Sequence, residues 1–274
     1  MAEQTLKDIG PVVLIGAGKM GLAMARGWVA GGLPADRLVL VDPFPNDAAK
    51  AFVEETGVRL LKAAEGVLTH VLVLAVKPQG MLPVLQQVLP VVGKHTLVIS
   101  IAAGVSLHTL AAGLDTDRVV RAMPNTPAQL GKGITGVVGL SVTDADRTTA
   151  DLLLRAAGDV LWFDEESKID AVTAVSGSGP AYVFYMVEAL AEAAMKQGLT
   201  PAQAMQLARQ TVVGAAALLE ADQSPASLLR ENVTSPKGTT AAALAVLMAP
   251  DGLEPLMDRA VRAARVRSEE LGRG

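Results

Sequence analysis

Residues 12–21 read Val12-Val13-Leu14-Ile15-Gly16-Ala17-Gly18-Lys19-Met20-Gly21, an apolar run of strand length that ends in glycines spaced G-x-G-x-x-G. Apolar residues then recur at helical spacing until Gly31 and Gly32. This pattern predicts a strand, a tight turn and a helix. Glycine permits the sharp turn and the close approach of a pyrophosphate, which the free N–H groups of the helix N-terminus would bind.

A second apolar stretch, Leu38 to Val41, ends in Asp42, about twenty residues after the last glycine. In dinucleotide-binding folds an acidic residue at this distance accepts a hydrogen bond from the ribose 2′-OH. The two features together favour a nicotinamide dinucleotide site over an ordinary glycine-rich turn.

Composition narrows the class of protein. The 274 residues are enough for one large or two ordinary domains, and half of them are hydrophobic. The 24 basic and 28 acidic residues give a net charge of −4. Without a basic stripe, nucleic acid is not an expected partner. Because the chain has no cysteine, disulfides, thiol catalysis and Fe–S sites are excluded, in agreement with a reducing, cytoplasmic location.

No membrane or metal partner is expected either. The first ten residues include Glu3 and Asp8 and lack the apolar segment of a signal peptide. Residues 95–114 are uncharged, but their polar residues favour a buried strand at 97–101, a turn at Gly104 and a helix capped by Ser106. The three histidines, His70, His95 and His108, have no metal-ligand spacing.

The first part of the chain alternates strand and helix signals, which predicts a Rossmann-type, doubly wound α/β sheet. Further strands are predicted at 71–76, 97–101, 119–123, 134–140 and 160–163, and helices at 46–56 and 144–157. Strand signals then stop near Asp164. We therefore predict a dinucleotide-binding domain at 1–164 and an all-helical substrate-binding and dimerisation domain at 165–274.

The helical part has recognisable starts and one interruption. Helical spacing continues from Val172 to Met195 across Gly177–Pro180, which predicts a long kinked helix. A capping box at Thr200, followed by proline, predicts a helix that ends near Ala221. Further starts are expected at 224–225 and 254–255.

This part carries more apolar surface than its size can bury, especially in 171–187 and 210–219. A second copy of the chain would cover it, so we expect a homodimer. The alternative, packing entirely against the sheet domain of the same chain, stays open.

Three stretches could carry chemistry. Residues 75–78 and 121–128 follow predicted strands, where ligands of open α/β sheets bind. Residues 233–240 place hydroxyls, a proline and a glycine directly before an apolar helix, which suits a small carboxylate. Each has a plainer interpretation: a surface lysine, a stiff connector and a helix N-cap.

The chain resembles the pyrroline-5-carboxylate reductase family, which catalyses the last step of proline biosynthesis. The resemblance covers essentially the whole chain. The motifs that carry it are Gly16-Ala17-Gly18-Lys19-Met20-Gly21, Val76-Lys77-Pro78, Met123-Pro124-Asn125-Thr126-Pro127, Ser176-Gly177-Ser178-Gly179-Pro180-Ala181-Tyr182 and Ser235-Pro236-Lys237-Gly238-Thr239-Thr240.

The resemblance implies a reductase that uses NADPH or NADH and converts 1-pyrroline-5-carboxylate to L-proline. The candidate cofactor-binding residues are Gly16, Gly18, Lys19, Met20, Gly21, Asp42, Lys62, Ala75, Val76, Lys77, Pro78, Asn125, Thr126 and Pro127. The candidate substrate-binding residues are Val233, Ser235, Gly238, Thr239 and Thr240, and Thr240 is the candidate catalytic residue, matched to the family's partner of the ring nitrogen. The resemblance also implies a dimer whose substrate loop completes the partner's site, with rings of dimers in some members.

Two positions depart from the family. Lys237 replaces a residue that is often small, and Lys62 replaces an asparagine that some members use near the adenosine ribose. Asp42 favours NADH, whereas Lys62 could offset that preference, so we expect both cofactors to work.

An imine can be protonated before it accepts hydride, so the reaction needs no strong side-chain acid, and orientation of the two reactants supplies most of the catalysis. Two other functions stay open. A β-hydroxyacid dehydrogenase would need a lysine within the long helix, but Lys168 precedes that helix and Lys196 ends it. A non-catalytic dinucleotide sensor would have no use for the hydroxyl-rich loop.

Overall fold

The computed structural model describes residues 4–272, so the outermost residues of the two predicted domains, 1–3 and 273–274, lie outside it. Contacts group Met1–Gly177 with Ala264–Gly274 in one unit and Ser178–Ala263 in a second. These limits differ from 1–164 and 165–274 because residues 165–177 and the end of the C-terminal helix both group with the first unit. The functional boundary near Asp164 stays a prediction.

The first unit is built on an eight-stranded sheet with the order β3-β2-β1-β4-β5-β6-β7-β8. The strands are β1 Val12–Ile15, β2 Leu38–Val41, β3 Arg59–Leu61, β4 Val71–Leu74, β5 Leu97–Ser100, β6 Val119–Met123, β7 Gly133–Gly139 and β8 Gly158–Trp162. All neighbouring strands are parallel except β6 and β7. The mostly parallel sheet confirms the predicted α/β class.

The antiparallel β6–β7 pair has a local cause. The connection, residues 124–132, is too short for the crossover that a parallel pair requires, which takes a dozen residues or more. Pro124 and Pro127 stiffen it. β7 therefore turns back beside β6, and β8, which is parallel to β7, runs against the first six strands.

Helices cover both faces of this sheet and so bury its central strands on both sides. They are α1 Lys19–Ala30, α2 Asp47–Thr56, α3 Met81–Val88, α4 Leu107–Leu114, α5 Asp144–Arg155 and α6 Lys168–Val172. Helix α1 packs closely on α5, where the indole nitrogen of Trp28 donates to the Leu153 carbonyl at 2.7 Å. Two separate apolar cores result, one on each face of the sheet.

Two predicted helix caps are confirmed at the level of single side chains. The Ser106 hydroxyl accepts from the Thr109 N–H at the start of α4. Thr200 and Gln203 form the expected capping box of α8, which begins at Pro201 and ends at Ala221 as predicted. Short polar side chains satisfy helix N–H groups locally, so these starts can be read from the sequence alone.

The second unit is helical throughout its regular structure. It contains α7 Gly179–Lys196, α8 Pro201–Ala221, α9 Ala226–Asn232, α10 Thr239–Leu247 and the beginning of α11 Leu253–Gly272. The predicted interruption near Gly177 is a π-helical turn, Thr173–Gly177, which separates α6 from α7. Among the described residues, no helix combines the length and hydropathy needed to cross a membrane.

Few side chains of the second unit are buried. Its apolar core consists of Ala191, Ala204 and Ala208 with two partly buried neighbours. Large apolar side chains are exposed on several of its helices, among them Phe184, Tyr185, Leu207, Leu218, Val246 and Met248. The surplus of apolar surface expected from the sequence is therefore present.

Candidate active site

The glycine-rich turn joins β1 to α1 and has the geometry expected from its spacing. Gly16 has φ +95°, in the left-handed region that glycine tolerates. A Cβ on Gly16 would lie 2.8 Å from the Ala75 carbonyl oxygen, and one on Gly21 would lie 2.3 Å from the Gly16 carbonyl oxygen. Only glycine fits at both positions, so the turn brings the ends of β1 and β4 and the start of α1 close together.

The start of α1 fits a dinucleotide pyrophosphate. Gly18 is the N-cap and provides no capping side chain, so the N–H groups of the first turn are available to a ligand. A Cβ on Gly18 would meet no atom within 4 Å, so the space in front of the helix is open. The positive end of the helix dipole and these donors suit a phosphate group.

Asp42 lies directly beside this turn. One carboxylate oxygen accepts from the Ala17 N–H at 2.9 Å, and the other accepts from the Phe44 N–H at 2.9 Å. The Asn46 side chain accepts from Ala49 to cap α2, and its amide also donates to the Ala17 carbonyl at 3.3 Å. The acid predicted for the ribose is thus held in place by backbone donors at the end of β2.

Lys62 is at the same edge of the sheet. It directly follows β3, which pairs in parallel with β2, and the Asp42 N–H donates to the Leu61 carbonyl at 3.0 Å. Lys62 is exposed. The two residues expected to influence cofactor choice therefore end neighbouring strands.

A cavity of about 410 Å³ in the first unit extends from the glycine turn along the carboxyl ends of the strands. The predicted site residues that line it are Gly18, Lys19, Met20, Ala75, Val76, Lys77, Pro78, Asn125 and Thr126. Of the other predicted cofactor residues, Gly16 and Gly21 shape the turn, Asp42 and Lys62 end strands beside it, and Pro127 lies outside the lining. The cavity lies at a topological switch point, between β1 and β4, where ligands of open α/β sheets bind.

Part of the lining was not predicted from the sequence. Ile101, Ala102 and Ala103 follow β5 and complete the wall together with Met123 and Gly177. The rule that selected residues 75–78, the carboxyl end of a parallel strand, applies equally to β5 and could have found the first three. These residues are apolar or small and carry no chemical signature of their own.

The predicted substrate loop, residues 233–240, belongs to the second unit, where it connects α9 to α10. The N-cap of α10 is Gly238, and no side chain caps the helix. The plainer interpretation, a hydroxyl serving as the N-cap, is therefore wrong for this helix. Ser235 packs against Gly238, where a Cβ would lie 2.3 Å from the Ser235 hydroxyl oxygen. Thr240 occupies the first turn and is half-buried.

Lys237 adopts φ +58° in this loop, a conformation that is unusual for a residue with a side chain. Glycine would adopt this conformation at lower cost, because it has no Cβ.

Comparison with known proteins agrees with this arrangement. Residues 166–271 match the family model described as pyrroline-5-carboxylate reductase dimerisation, and residues 11–104 match the model described as NADP oxidoreductase, coenzyme F420-dependent. A pyrroline-5-carboxylate reductase of Pseudomonas aeruginosa is 42% identical over 264 residues, which cover 95% of this chain and 96% of that protein.

Two solved structures are similar over nearly the whole chain. A pyrroline-5-carboxylate reductase from Coxiella burnetii has a TM-score of 0.89 and 36% identity, with 96% of this chain and 98% of that chain covered. The Plasmodium falciparum pyrroline carboxylate reductase, solved with NADP bound, has a TM-score of 0.79 and 27% identity, with coverage of 97% and 99%. The glycine turn, the cavity beside it and these full-length relationships lead to one conclusion: the chain belongs to the pyrroline-5-carboxylate reductase family.

Proposed function

We propose that this protein reduces 1-pyrroline-5-carboxylate to L-proline with NADPH or NADH. The observation that carries the proposal is the cavity that runs from the N-terminus of α1 along the strand ends, in a chain that belongs to this family. When bound, the reduced nicotinamide supplies a hydride from its C4 atom to the carbon of the C=N bond. The ring nitrogen takes a proton that comes from water.

The first unit supplies the residues that would hold the cofactor. The N–H groups at the start of α1 receive the pyrophosphate, and Asp42 receives the adenosine ribose. Lys77 and Pro78, which follow β4, lie along the cavity, as do Asn125 and Thr126, which follow β6. These elements are rigid strands and their first following residues, so they can fix the orientation on which hydride transfer depends.

The second unit supplies the substrate loop. The first turn of α10 has no side-chain cap, so its N–H groups can bind the substrate carboxylate. Ser235 and Thr239 add hydroxyls beside it, and Val233 and Gly238 complete the loop. The Thr240 hydroxyl contacts the ring nitrogen and holds the C=N bond in place for hydride transfer.

The chain functions as a homodimer in this proposal, with the loop of one subunit completing the site of the other. Support comes from the dimerisation family model and from the exposed apolar side chains of the second unit. Rings of dimers and a cytoplasmic location are further expectations that we draw from the sequence.

The β-hydroxyacid dehydrogenase alternative lacks its base. Helix α7 contains a lysine only at its last residue, Lys196, and Lys168 begins the separate short helix α6. Neither lysine occupies the middle of a long helix, where a β-hydroxyacid dehydrogenase needs its base.

The role of Thr240 is tested by replacing it with alanine. Removal of one hydrogen bond that strengthens in the transition state should lower turnover about 10²- to 10³-fold, with cofactor affinity nearly unchanged. Steady-state rates with 1-pyrroline-5-carboxylate and a thermal melt on the same preparation provide the measurement.

Thr211→Ala serves as the matched control, because Thr211 is exposed on α8 and distant in sequence from the loop. It should leave turnover unchanged. A Thr240→Ala enzyme with full turnover, whether or not its stability falls, would remove Thr240 from the catalytic site.

A further inference from the structure

Asn125 joins three elements behind the cavity. It lies two residues after the end of β6, is 9% exposed and lines the cavity. Its side-chain oxygen accepts from the Ile134 N–H on β7 at 3.0 Å. Its side-chain nitrogen donates to the Ser176 carbonyl, in the π-helical turn, at 3.1 Å. Both polar groups of the amide are therefore bonded to the protein backbone.

The Ser176 carbonyl needs this donor. In an α-helix it would accept from the backbone nitrogen four residues later, but that residue is Pro180, which has no N–H. The next N–H, of Ala181, donates instead to the Ser178 carbonyl at 3.0 Å. An unpaired carbonyl in a partly buried position is costly, and the amide of Asn125 supplies the missing hydrogen bond.

The turn held in this way forms part of the cavity wall. Gly177, its last residue, lines the cavity. A Cβ on Gly177 would lie 3.0 Å from the terminal methyl of Met123, another residue of the wall. The position of the π-helical turn relative to β6 therefore determines how much space remains between them.

We infer that Asn125 is a positioning residue, which fixes the π-helical turn and the start of β7 against β6 and so sets the shape of the cavity in which the nicotinamide reacts. The inference rests on the proposed function for its consequence in catalysis. It assigns to Asn125 a role that acts through Ser176 and Gly177 rather than through a direct bond to the dinucleotide.

Hydrogen–deuterium exchange of the protein without cofactor tests the structural half of this inference. Asn125→Asp keeps an oxygen for Ile134 but loses the donor to Ser176, whereas Asn125→Ala loses both bonds. Both variants should accelerate exchange in peptides that span residues 173–182, and the alanine variant should also do so at Ile134. Gln129→Ala, on the exposed side of the same loop, should exchange like the unmodified protein.

Kinetics test the functional half. A shifted wall misplaces the reacting atoms, so kcat should fall by about tenfold or more in both Asn125 variants. The dissociation constant for NADPH, measured by fluorescence, should stay within about twofold, because the N–H groups at the start of α1 hold the pyrophosphate independently of Asn125.

Three results would overturn the inference: unchanged exchange at 173–182, an unchanged kcat, or a dissociation constant for NADPH raised about tenfold or more, which indicates a direct ligand. The exchange measurement needs no substrate. If the unmodified protein fails to reduce 1-pyrroline-5-carboxylate, the proposed function fails, while the exchange data still decide whether Asn125 holds the turn.

Discussion

Asp42 is the residue on which we expect cofactor preference to depend most directly. Its carboxylate is held by the Ala17 and Phe44 N–H groups, and each oxygen keeps a further lone pair for a ribose hydroxyl. Its negative charge repels a 2′-phosphate. Asp42→Ala should therefore raise the ratio of kcat/KM for NADPH to that for NADH by about tenfold or more, given the strength of a charged hydrogen bond.

The measurement is steady-state kinetics with each cofactor at fixed 1-pyrroline-5-carboxylate. Asp47→Ala is the control, since Asp47 is exposed on α2 and pairs with Lys50. An unchanged ratio in Asp42→Ala would place the ribose elsewhere. Lys62, at the end of the neighbouring strand, would then be the next residue to replace.

Side chains that cap a neighbouring helix could be predicted from the sequence, whereas side chains that hydrogen-bond to distant parts of the chain could not. Ser106 and Thr200 each cap a helix by accepting from the N–H three residues later, and their residue types reveal these caps. Asn125 was expected to lie along the dinucleotide because of its motif. Its side chain bonds to Ile134 and to Ser176, and Ser176 is 51 residues away in sequence. No local sequence pattern encodes such a bond.

At the scale of elements, long apolar runs predicted the central strands well. β6 was predicted at its observed limits, whereas the three-residue edge strand β3 and the helix α3 were not predicted as elements. Burial produces a strong sequence signal in a central strand and a weak one at a half-exposed edge. The direction of β7 follows from the length of a loop, which apolar periodicity does not report.

Helix α5 depends on a buried carboxylate at its start. Asp146 accepts from the Thr143 backbone and hydroxyl in a capping box and forms an ion pair with Arg118. Burial raises the pKa of Asp146, but the hydrogen bonds from Arg118 and Thr143 and the Arg118 charge outweigh it, so the pKa lies below its ordinary value of 3.8. The stability gained from ionisation is therefore present above that value and is lost as the pH falls through the lower, folded-state pKa.

Asp146→Asn should lower the free energy of unfolding by about 1–3 kcal/mol at neutral pH. The difference from the unmodified protein should shrink as the pH falls from 3.8 through the lower pKa of the folded protein, because below that pKa both side chains are neutral. Urea unfolding over a pH series measures this. The control, Asp144→Asn in the exposed first turn, should lower the free energy of unfolding by less than about 1 kcal/mol. A difference for Asp146→Asn that does not vary with pH would contradict the account.

At the scale of the whole molecule, the exposed apolar surface of the second unit leads us to expect a partner. Phe184 and Tyr185 on α7 are 64% and 70% exposed, and Val246 on α10 is 71% exposed. We expect a particle of at least twice 28.3 kDa at micromolar concentration. Light scattering coupled to size-exclusion chromatography gives the mass.

Phe184→Glu should shift this mass towards the monomer, because a charge in an apolar interface loses its hydration. Gln206→Glu, on an exposed polar position of α8, is the matched control. A 28.3 kDa monomer of the unmodified chain would contradict both the dimer and the idea of a site shared between subunits.

The two halves of the proposed site were predicted by different means. The glycine turn and Asp42 follow from spacing and physical chemistry alone, because a dinucleotide imposes them on any fold of this kind. The substrate loop was predicted to bind a carboxylate from its hydroxyls and helix start, whereas the role proposed for Thr240 came from resemblance. Sequence spacing cannot predict whether residues 16–21 and 233–240 lie in one site, because their proximity depends on how units and subunits assemble.

The central claim is that hydride passes from the nicotinamide to the C=N carbon of 1-pyrroline-5-carboxylate. It is tested most directly with NADH deuterated at both hydrogens of nicotinamide C4. The account predicts L-proline with one deuterium, at ring carbon C5, formed in equal amount to the cofactor oxidised, as read by mass spectrometry and NMR. Cofactor binding without its oxidation, or proline that carries no deuterium, would contradict it.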